Sequence, residues 1–376
     1  RLQDLHPDLS PPFPKEVIRE EIALAFGRRG VEKLTAVLAL EGLPDEQRAH
    51  ALRVFNGLLS TQEHKTDAIH VGAALPLTQL VRESPSLEVR TLSCTALASL
   101  AQIMPGRLAV MEAQGMESLT QALVSTPEAA AGTLRQFSTS KDGVALLSTV
   151  LDVIVPAIVN LINQPPEQGA SLSPISLKAL ENAAATLTGI STTDPGILSL
   201  ISHEVPTALV GLAVRGVKGD LSLEREVMIM LESCAKAMEQ IAHHAAGKTA
   251  LREAGAIKQL GIMLVHCGFH PGCVLASSSA LMGLSVEKES KVHIMLYAGQ
   301  SLVKLMTTSK DDRLVCNARA AIQSASEHLE ARRITQSLLT VDEMKGALYR
   351  GPLPDTPPDF RYNVVLPYLA SRGLTP

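Results

Sequence analysis

The residues with the most obvious chemical potential lie in the stretch HCGFHPGC, residues 266–273. His266, Cys267, His270 and Cys273 supply four donors, enough for a tetrahedral zinc site. Their spacing matches no common zinc module, and the pair Pro271-Gly272 is common in turns. We therefore interpret the cluster as incidental and predict no metal site.

Two other stretches resemble functional motifs. GRRG (Gly27–Gly30) lacks the Gly-Lys-Ser/Thr of a phosphate loop and is predicted to lie in a helix corner. The pair His243-His244 is predicted to lie at a helix C-terminus, where an imidazole can meet free carbonyl groups. Neither a catalytic dyad nor a triad can be assembled, so we expect a protein that is not an enzyme and binds no cofactor.

Composition limits the remaining functions. Apolar residues make up 46 % of the chain and charged residues 19 %, which indicates a folded protein rather than a disordered one. The net charge of −4 offers no basic excess for nucleic acid, and no run of 18 uncharged apolar residues predicts a membrane span. The five cysteines are typical of reduced, buried thiols in an intracellular protein.

The element that carries the donor cluster begins in LREAGAIKQLGIMLVH (Leu251–His266). One apolar run ends at Gly255, and Ile257, Leu260 and Leu264 then follow at helical spacing. Glycine readily adopts the positive φ found just past a helix end. The pattern predicts two helices that meet at Gly255, where a side chain would obstruct close packing.

This corner recurs along the chain. Its other copies are predicted in Leu24–Leu38, Ala68–Val81, Val110–Leu123, Val150–Ile162, Leu200–Ala213 and Met295–Met306. The aliphatic residue about five positions past each break is Leu34, Leu77, Leu119, Ile158, Leu209, Leu260 or Leu302. Their successive spacings are 43, 42, 39, 51, 51 and 42 residues. A period of about 40 to 47 residues is typical of armadillo and HEAT repeats.

A longer amphipathic stretch follows each corner, which makes three helices per repeat and favours armadillo over HEAT. We predict an all-α fold, a right-handed armadillo-type α-solenoid of about seven three-helix repeats. The two long spacings indicate insertions at 163–174 and 213–222. Small residues are predicted where neighbouring third helices stack: Ala49, Ala96, Ala98, Ala184, Ala235, Ala280 and Ala321.

Armadillo proteins that bind extended peptides, such as karyopherin-alpha, carry a ladder of asparagines on their third helices. This chain has other residues at the matching positions, namely Gly57, Ser99, Gln136, Gly189, Gln240 and Gly283. The missing ladder disfavours nuclear import.

Both ends of the chain are rich in proline. We predict an extended N-terminal segment at 1–18, the solenoid at 19–345 and a C-terminal tail at 346–376. The scarce aromatic residues concentrated in these ends are predicted to bind partners: Phe13, Tyr349, Phe360, Tyr362 and Tyr368. The alternative is a tail that folds back over the chain's own last repeat, because solenoid ends need covered caps.

The first repeats resemble one known family. The stretches are Ala25–Leu38, Arg48–Leu59, Asp67–Val81 and Ser86–Glu112. In the last stretch, a helix that begins with a Val-Arg pair is predicted to end near Gly106-Arg107. They are similar to the armadillo-repeat radial spoke family, known also as rhabdoid tumour deletion region proteins. The chain departs from that pattern at Arg29-Gly30, where the family tends to have Ala-Leu.

The resemblance implies a non-catalytic structural subunit of the radial spoke, in the axoneme of motile cilia and flagella. Its partners would be other spoke proteins in a large complex, without nucleic acid or membrane. The alternative is a cytosolic armadillo adaptor that binds extended peptides in signalling or trafficking.

Overall fold

The computed structural model describes residues 27–164, 174–218 and 225–339. Within these ranges the regular structure is entirely helical, as predicted. The helices are α1 (Gly27–Leu38), α2 (Asp45–Leu58), α3 (Gln62–His70), α4 (Ala74–Glu83), α5 (Leu87–Leu100), α6 (Met104–Glu112), α7 (Gly115–Ser125), α8 (Pro127–Ser138), α9 (Lys141–Leu147), α10 (Leu151–Asn163), α11 (Pro174–Ile190), α12 (Asp194–Ser202), α13 (Val205–Lys218), α14 (Arg225–His243), α15 (Ala245–Glu253), α16 (Ala256–His266), α17 (Pro271–Leu284), α18 (Ser290–Tyr297), α19 (Gly299–Thr308), α20 (Asp312–Ala325) and α21 (Leu329–Leu338).

The order of these helices confirms the three-helix armadillo-type repeat. A short first helix turns sharply into a second helix, and a third helix follows after a loop. The first two helices meet at 93° between α9 and α10 and at 75° between α12 and α13. The third helices of the described ranges are α2, α5, α8, α11, α14, α17 and α20.

The chain divides into two compact units, Arg1–Thr133 and Leu134–Pro376. In the first unit, helices of the same kind pack against each other: α2 on α5, α3 on α6, and α4 on α7. Each repeat therefore completes its core with its neighbour, as repeat proteins must.

The second unit follows the same rule over more repeats. Its third helices pack in the order α11, α14, α17 and α20, and its second helices in the order α10, α13, α16 and α19. We call the four stacked third helices the third-helix wall. The anchors Ile158, Leu209, Leu260 and Leu302 are all fully buried in this unit.

The corner at Gly255 is confirmed, and so is the positive φ predicted for its glycine, but the predicted obstruction of close packing is wrong. Gly255 has a φ of 81°, in the left-handed region, and an added Cβ would meet no atom within 4 Å. Backbone conformation, rather than close packing, therefore favours glycine here. Gln114 and Glu204 occupy the equivalent corner, both with a φ of 56°, so the bend tolerates a side chain at some cost.

Close packing selects glycine at the third residue of the first helix instead, a feature that the sequence analysis missed. A Cβ on Gly106, Gly143 or Gly196 would lie 2.0 Å from a carbonyl oxygen at the end of the preceding third helix. For Gly247 the corresponding distance, to the oxygen of Ile241, is 2.1 Å. No side chain fits at these distances, so glycine lets the first helix pass directly over the preceding helix end.

Three boundaries differ from their predictions. The break expected inside Val150–Ile162 lies before Leu151, and α10 continues through Pro156. The expected insertion at 213–222 begins as helix, because α13 continues to Lys218. Gly27–Gly30 forms the first turn of α1 rather than a corner. The borders predicted at residues 18 and 345–346 lie outside the described residues.

The apolar helices are short. Within the described ranges, no single helix is both long and apolar enough to cross a membrane.

Candidate protein-interaction surface

Small residues allow the third-helix wall to pack closely. Ala184, Ala235, Ala280 and Ala321 are buried between its helices, as the sequence predicted. Helix α17 lies between α14 and α20 and is buried on both sides. Three consecutive serines in it, Ser277–Ser279, are buried as well.

Polar side chains connect adjacent helices of the wall. The hydroxyl of Thr188 donates to the backbone oxygen of Ser233 at 3.0 Å, and that of Ser324 donates to Ser285 at 2.8 Å. The amide of Asn317 donates to Ser278 Oγ at 3.3 Å. These bonds fix the register of one helix against the next, because each donor has its acceptor on the neighbouring helix.

A buried carboxylate of the second unit joins α11 to the last turns of α8. Glu181 is 2 % exposed, and its Oε1 accepts a hydrogen bond from Arg135 Nη1 at 2.8 Å. Lys178 Nζ lies 2.6 Å from its other oxygen, and Arg135 also donates to Asn182 Oδ1 at 3.0 Å. Two cations and good geometry compensate for burial of this charge.

A second carboxylate lies one repeat further along, on α14. A Cβ on Gly272 would lie 2.5 Å from Glu232 Oε1, so the carboxylate is close to the N-terminus of α17. That helix end carries partial positive charge. Lys236 Nζ lies 2.5 Å from Glu232 Oε1. The sequence analysis missed both Glu181 and Glu232. Each is a charged residue within a third-helix stretch of small and apolar residues, and this contrast could have indicated a buried carboxylate.

Helix packing explains why glycine occupies two of the positions at which the asparagine ladder is missing. A Cβ on Gly189 would lie 2.5 Å from the backbone oxygen of Ser138, and one on Gly283 would lie 3.2 Å from that of Ala242. At these positions the neighbouring helix approaches too closely for an amide side chain. The wall therefore does not offer a regular row of amides to a peptide backbone.

The structure does not gather the four donors of residues 266–273 into one cluster. His270 caps α17, with its Nδ1 accepting from the Cys273 N–H at 3.4 Å. The thiols of Cys267 and Cys273 hydrogen-bond to each other, which lowers the pKa of Cys267 and, together with burial, raises that of Cys273. No group of three metal-binding side chains occurs in the described parts of the chain.

The histidine pair and four of the five cysteines agree with the sequence predictions, whereas Cys316 does not. Four cysteines are buried, Cys316 is exposed, and all five are free thiols. Burial raises the pKa of Cys94 to about 12 and that of Cys234 also to about 12. His243 is the last residue of α14, and His244 is the residue from which α15 begins.

The predicted aromatic contacts remain untested. Phe13, Tyr349, Phe360, Tyr362 and Tyr368 lie outside the described residues.

Comparisons with known proteins bear on the fold alone. No protein-family model and no curated protein sequence matches the chain. A crystal structure of an engineered protein is similar, with a TM-score of 0.51 and 20 % sequence identity over 87 % of this chain and 85 % of that one.

Designed armadillo repeat proteins match more weakly. One has a TM-score of 0.45 and 18 % identity, and covers 78 % of this chain and 99 % of its own. Another, in complex with the peptide (KR)4, has a TM-score of 0.44, 18 % identity and the same coverages, 78 % and 99 %. The helix order and packing described above are what define the armadillo-type fold of this chain.

Proposed function

We propose that this protein is a non-catalytic scaffold that binds other proteins through its solenoid surface and its two end segments. The third-helix wall supports this role, because its helices are already held by side-chain hydrogen bonds such as Thr188 to Ser233. A surface that is formed before binding loses little conformational entropy when a partner docks. Repeat proteins use extended surfaces of this kind for binding.

The setting we propose is the radial spoke of motile cilia and flagella, where the protein would join other spoke proteins in the axoneme. The support is the resemblance of residues 25–112 to the radial spoke family. Within that stretch Gly106 lies against the end of α5, and the buried Arg107 donates to the backbone oxygen of Ala101 at 2.7 Å. These two residues of the family pattern therefore have packing roles here.

The end segments extend the proposed binding surface. Of the aromatic residues predicted there, Phe13, Tyr349, Tyr362 and Tyr368 are the proposed partner contacts. Aromatic side chains bury much area with few rotatable bonds, which makes them effective anchors.

The cytosolic adaptor alternative receives no comparable support. Such an adaptor would clamp an extended peptide backbone, yet Gly189 and Gly283 stand where its amides would be needed. We therefore retain the spoke subunit as the proposal.

Extraction of isolated motile cilia tests the proposal. After detergent treatment the protein should stay with the axoneme, and high salt or chaotrope should release it together with spoke proteins. Recovery in the soluble cytosolic fraction would contradict the spoke assignment.

A pair of variants then tests the wall. Lys236 is exposed on α14, and we expect Lys236→Gln, which keeps a hydrogen-bond donor beside Glu232, to weaken co-purification with spoke proteins without loss of helix content. Lys304→Gln, on the exposed face of α19, is the control and should co-purify normally. Equal loss in both variants would argue against binding through the wall.

A further inference from the structure

Exposed aromatic residues are rare in the described structure and lie on one edge of the second unit. Phe55 and Phe137 are fully buried, whereas Phe269 is 61 % exposed and Tyr297 is 51 % exposed. Phe269 follows the end of α16, and Tyr297 is the last residue of α18. Helices α16 and α18 pack against each other, so both rings belong to a single surface.

The residues between these rings complete an exposed strip. A Cβ on Gly261 would lie 2.5 Å from the backbone oxygen of Tyr297, and Lys258 Nζ lies 5.9 Å from the centre of its ring. Val265 lies seven residues past Lys258 on the same helix face and is 69 % exposed. We call this surface the α16 strip. It is formed by Lys258, Ile262, Val265, Phe269 and Tyr297, of which Ile262 is half-buried and the others are exposed.

The charge of this surface has one sign. The sequence from Ala256 to His270 and all of α18 contain no Asp or Glu. Lys258, His266 and His293 are exposed there, whereas His270 lies beside Glu232. An occupant with complementary charge would combine carboxylates with an apolar or aromatic side chain.

The chain itself contains such a segment. LPDTPPDF (Leu353–Phe360) carries Asp355, Asp359 and Phe360 and contains no basic residue. Its P-x-x-P spacing, from Pro354 to Pro357, is typical of segments that dock on aromatic-lined surfaces as a polyproline II helix.

We propose that Leu353–Phe360 docks on the α16 strip of the same molecule, with Asp355 at Lys258 and Phe360 at Phe269. From Lys258 to His266, the last residue of α16, the helix rises about 12 Å, and Phe269 lies three residues beyond that end. Leu353–Phe360 spans about 22 Å as a polyproline II helix, which is long enough to cover the strip.

The connection is also long enough. Leu338, the last residue of α21, lies beside Gly299, which is two residues from Tyr297. A Cβ added to Gly299 would lie 2.9 Å from Leu338 Cδ1. The residues between Leu339 and Asp355 can span up to about 50 Å when extended. The docking assigns Phe360 to the chain's own surface and leaves Tyr349, Tyr362 and Tyr368 as proposed partner contacts.

A tryptophan reporter tests this docking, because the chain has no tryptophan. In full-length Phe269→Trp, we expect blue-shifted emission and weak quenching by acrylamide. Adding Asp355→Lys and Asp359→Lys should red-shift the emission and raise quenching several-fold. The charge exchange Lys258→Asp with Asp355→Lys should restore protection. Equal quenching in all these variants would overturn the proposal.

Two further measurements identify the occupant. Leu198→Trp, at an exposed position of α12, is the control, and its quenching should not respond to changes in the tail. Protection that disappears on dilution would show docking on a second copy and overturn docking within one chain. The scaffold proposal is judged separately by axonemal extraction, so either can fail alone.

Discussion

The guanidinium of Arg135 and the carboxylate of Glu181 form an ion pair at 2.8 Å between α8 and α11, with Glu181 almost fully buried. We predict that Arg135→Leu lowers the free energy of unfolding by about 2 kcal/mol, because it removes a charge-assisted bond from a buried carboxylate. Urea denaturation monitored by circular dichroism measures the effect.

The exposed pair Arg53–Glu88 provides the control. Arg53→Leu should cost less than about 1 kcal/mol, since solvent screens a surface ion pair. Equal losses in the two variants would mean that the buried pair has no special role.

The glycines of the first helices should be intolerant of even one methyl group. Gly247→Ala places a Cβ 2.1 Å from the backbone oxygen of Ile241, and we expect a loss of about 2 kcal/mol or more from the forced displacement. Gly211, inside α13, has no atom within 4 Å of the corresponding position, so Gly211→Ala should stabilise by about 0.5 to 1 kcal/mol through helix propensity. Thermal denaturation of the two variants should therefore give shifts of opposite sign.

Substitutions at two equivalent corners should change stability in opposite directions. Gly255→Ala should cost about 1 kcal/mol, because a residue with a Cβ is strained in the left-handed region. Glu204→Gly should gain a similar amount by relieving that strain at an exposed corner. Chemical denaturation decides the matter, and a loss in both variants would show that Glu204 makes a stabilising contact which outweighs its backbone conformation.

Thiol reactivity should separate one cysteine from the other four. Cys316 is exposed and the others are buried, so an aromatic disulfide reagent should modify one thiol rapidly in the native protein and five after denaturation. Cys316→Ser should abolish the rapid phase. A rapid phase that survives this substitution would contradict the described burial.

Stability should fall in alkaline solution. The pKa of the Cys94 thiol rises from 9.0 to about 12 on burial, and that of Cys234 rises likewise from 9.0 to about 12. The unfolded chain therefore releases these protons at lower pH than the native protein does. Their contribution to stability is fully present below pH 9 and is lost as the pH rises toward 12. Cys234→Ala should reduce the slope of unfolding free energy against pH, which urea denaturation at a series of pH values between about 8 and about 11 measures.

The repeat and its corners could be predicted from the sequence because periodic aliphatic residues report directly on helix faces. Leu209, Leu260 and Leu302 each proved to be fully buried. The error within Val150–Ile162 has a physical cause: the run is apolar almost throughout, so its pattern does not mark where one helix ends. Helix α10 then continues through Pro156 without a break.

Contacts between repeats could not be predicted in the same way. The role of Gly247 depends on a carbonyl oxygen of the preceding third helix, and that of Glu181 depends on Arg135, 46 residues away. Both require the packing of whole helices to be known. The α16 strip was missed because the exposure of Phe269 and Tyr297 cannot be read from residue type.

The bonds between neighbouring third helices also determine how the second unit would respond to a pulling force. Each bond, such as Ser324 to Ser285, joins one helix to the next and extends no further. Separation of α20 from α17 would therefore leave the interfaces of α14 and α11 intact, and the polypeptide would lengthen in steps of one repeat instead of rupturing as a whole.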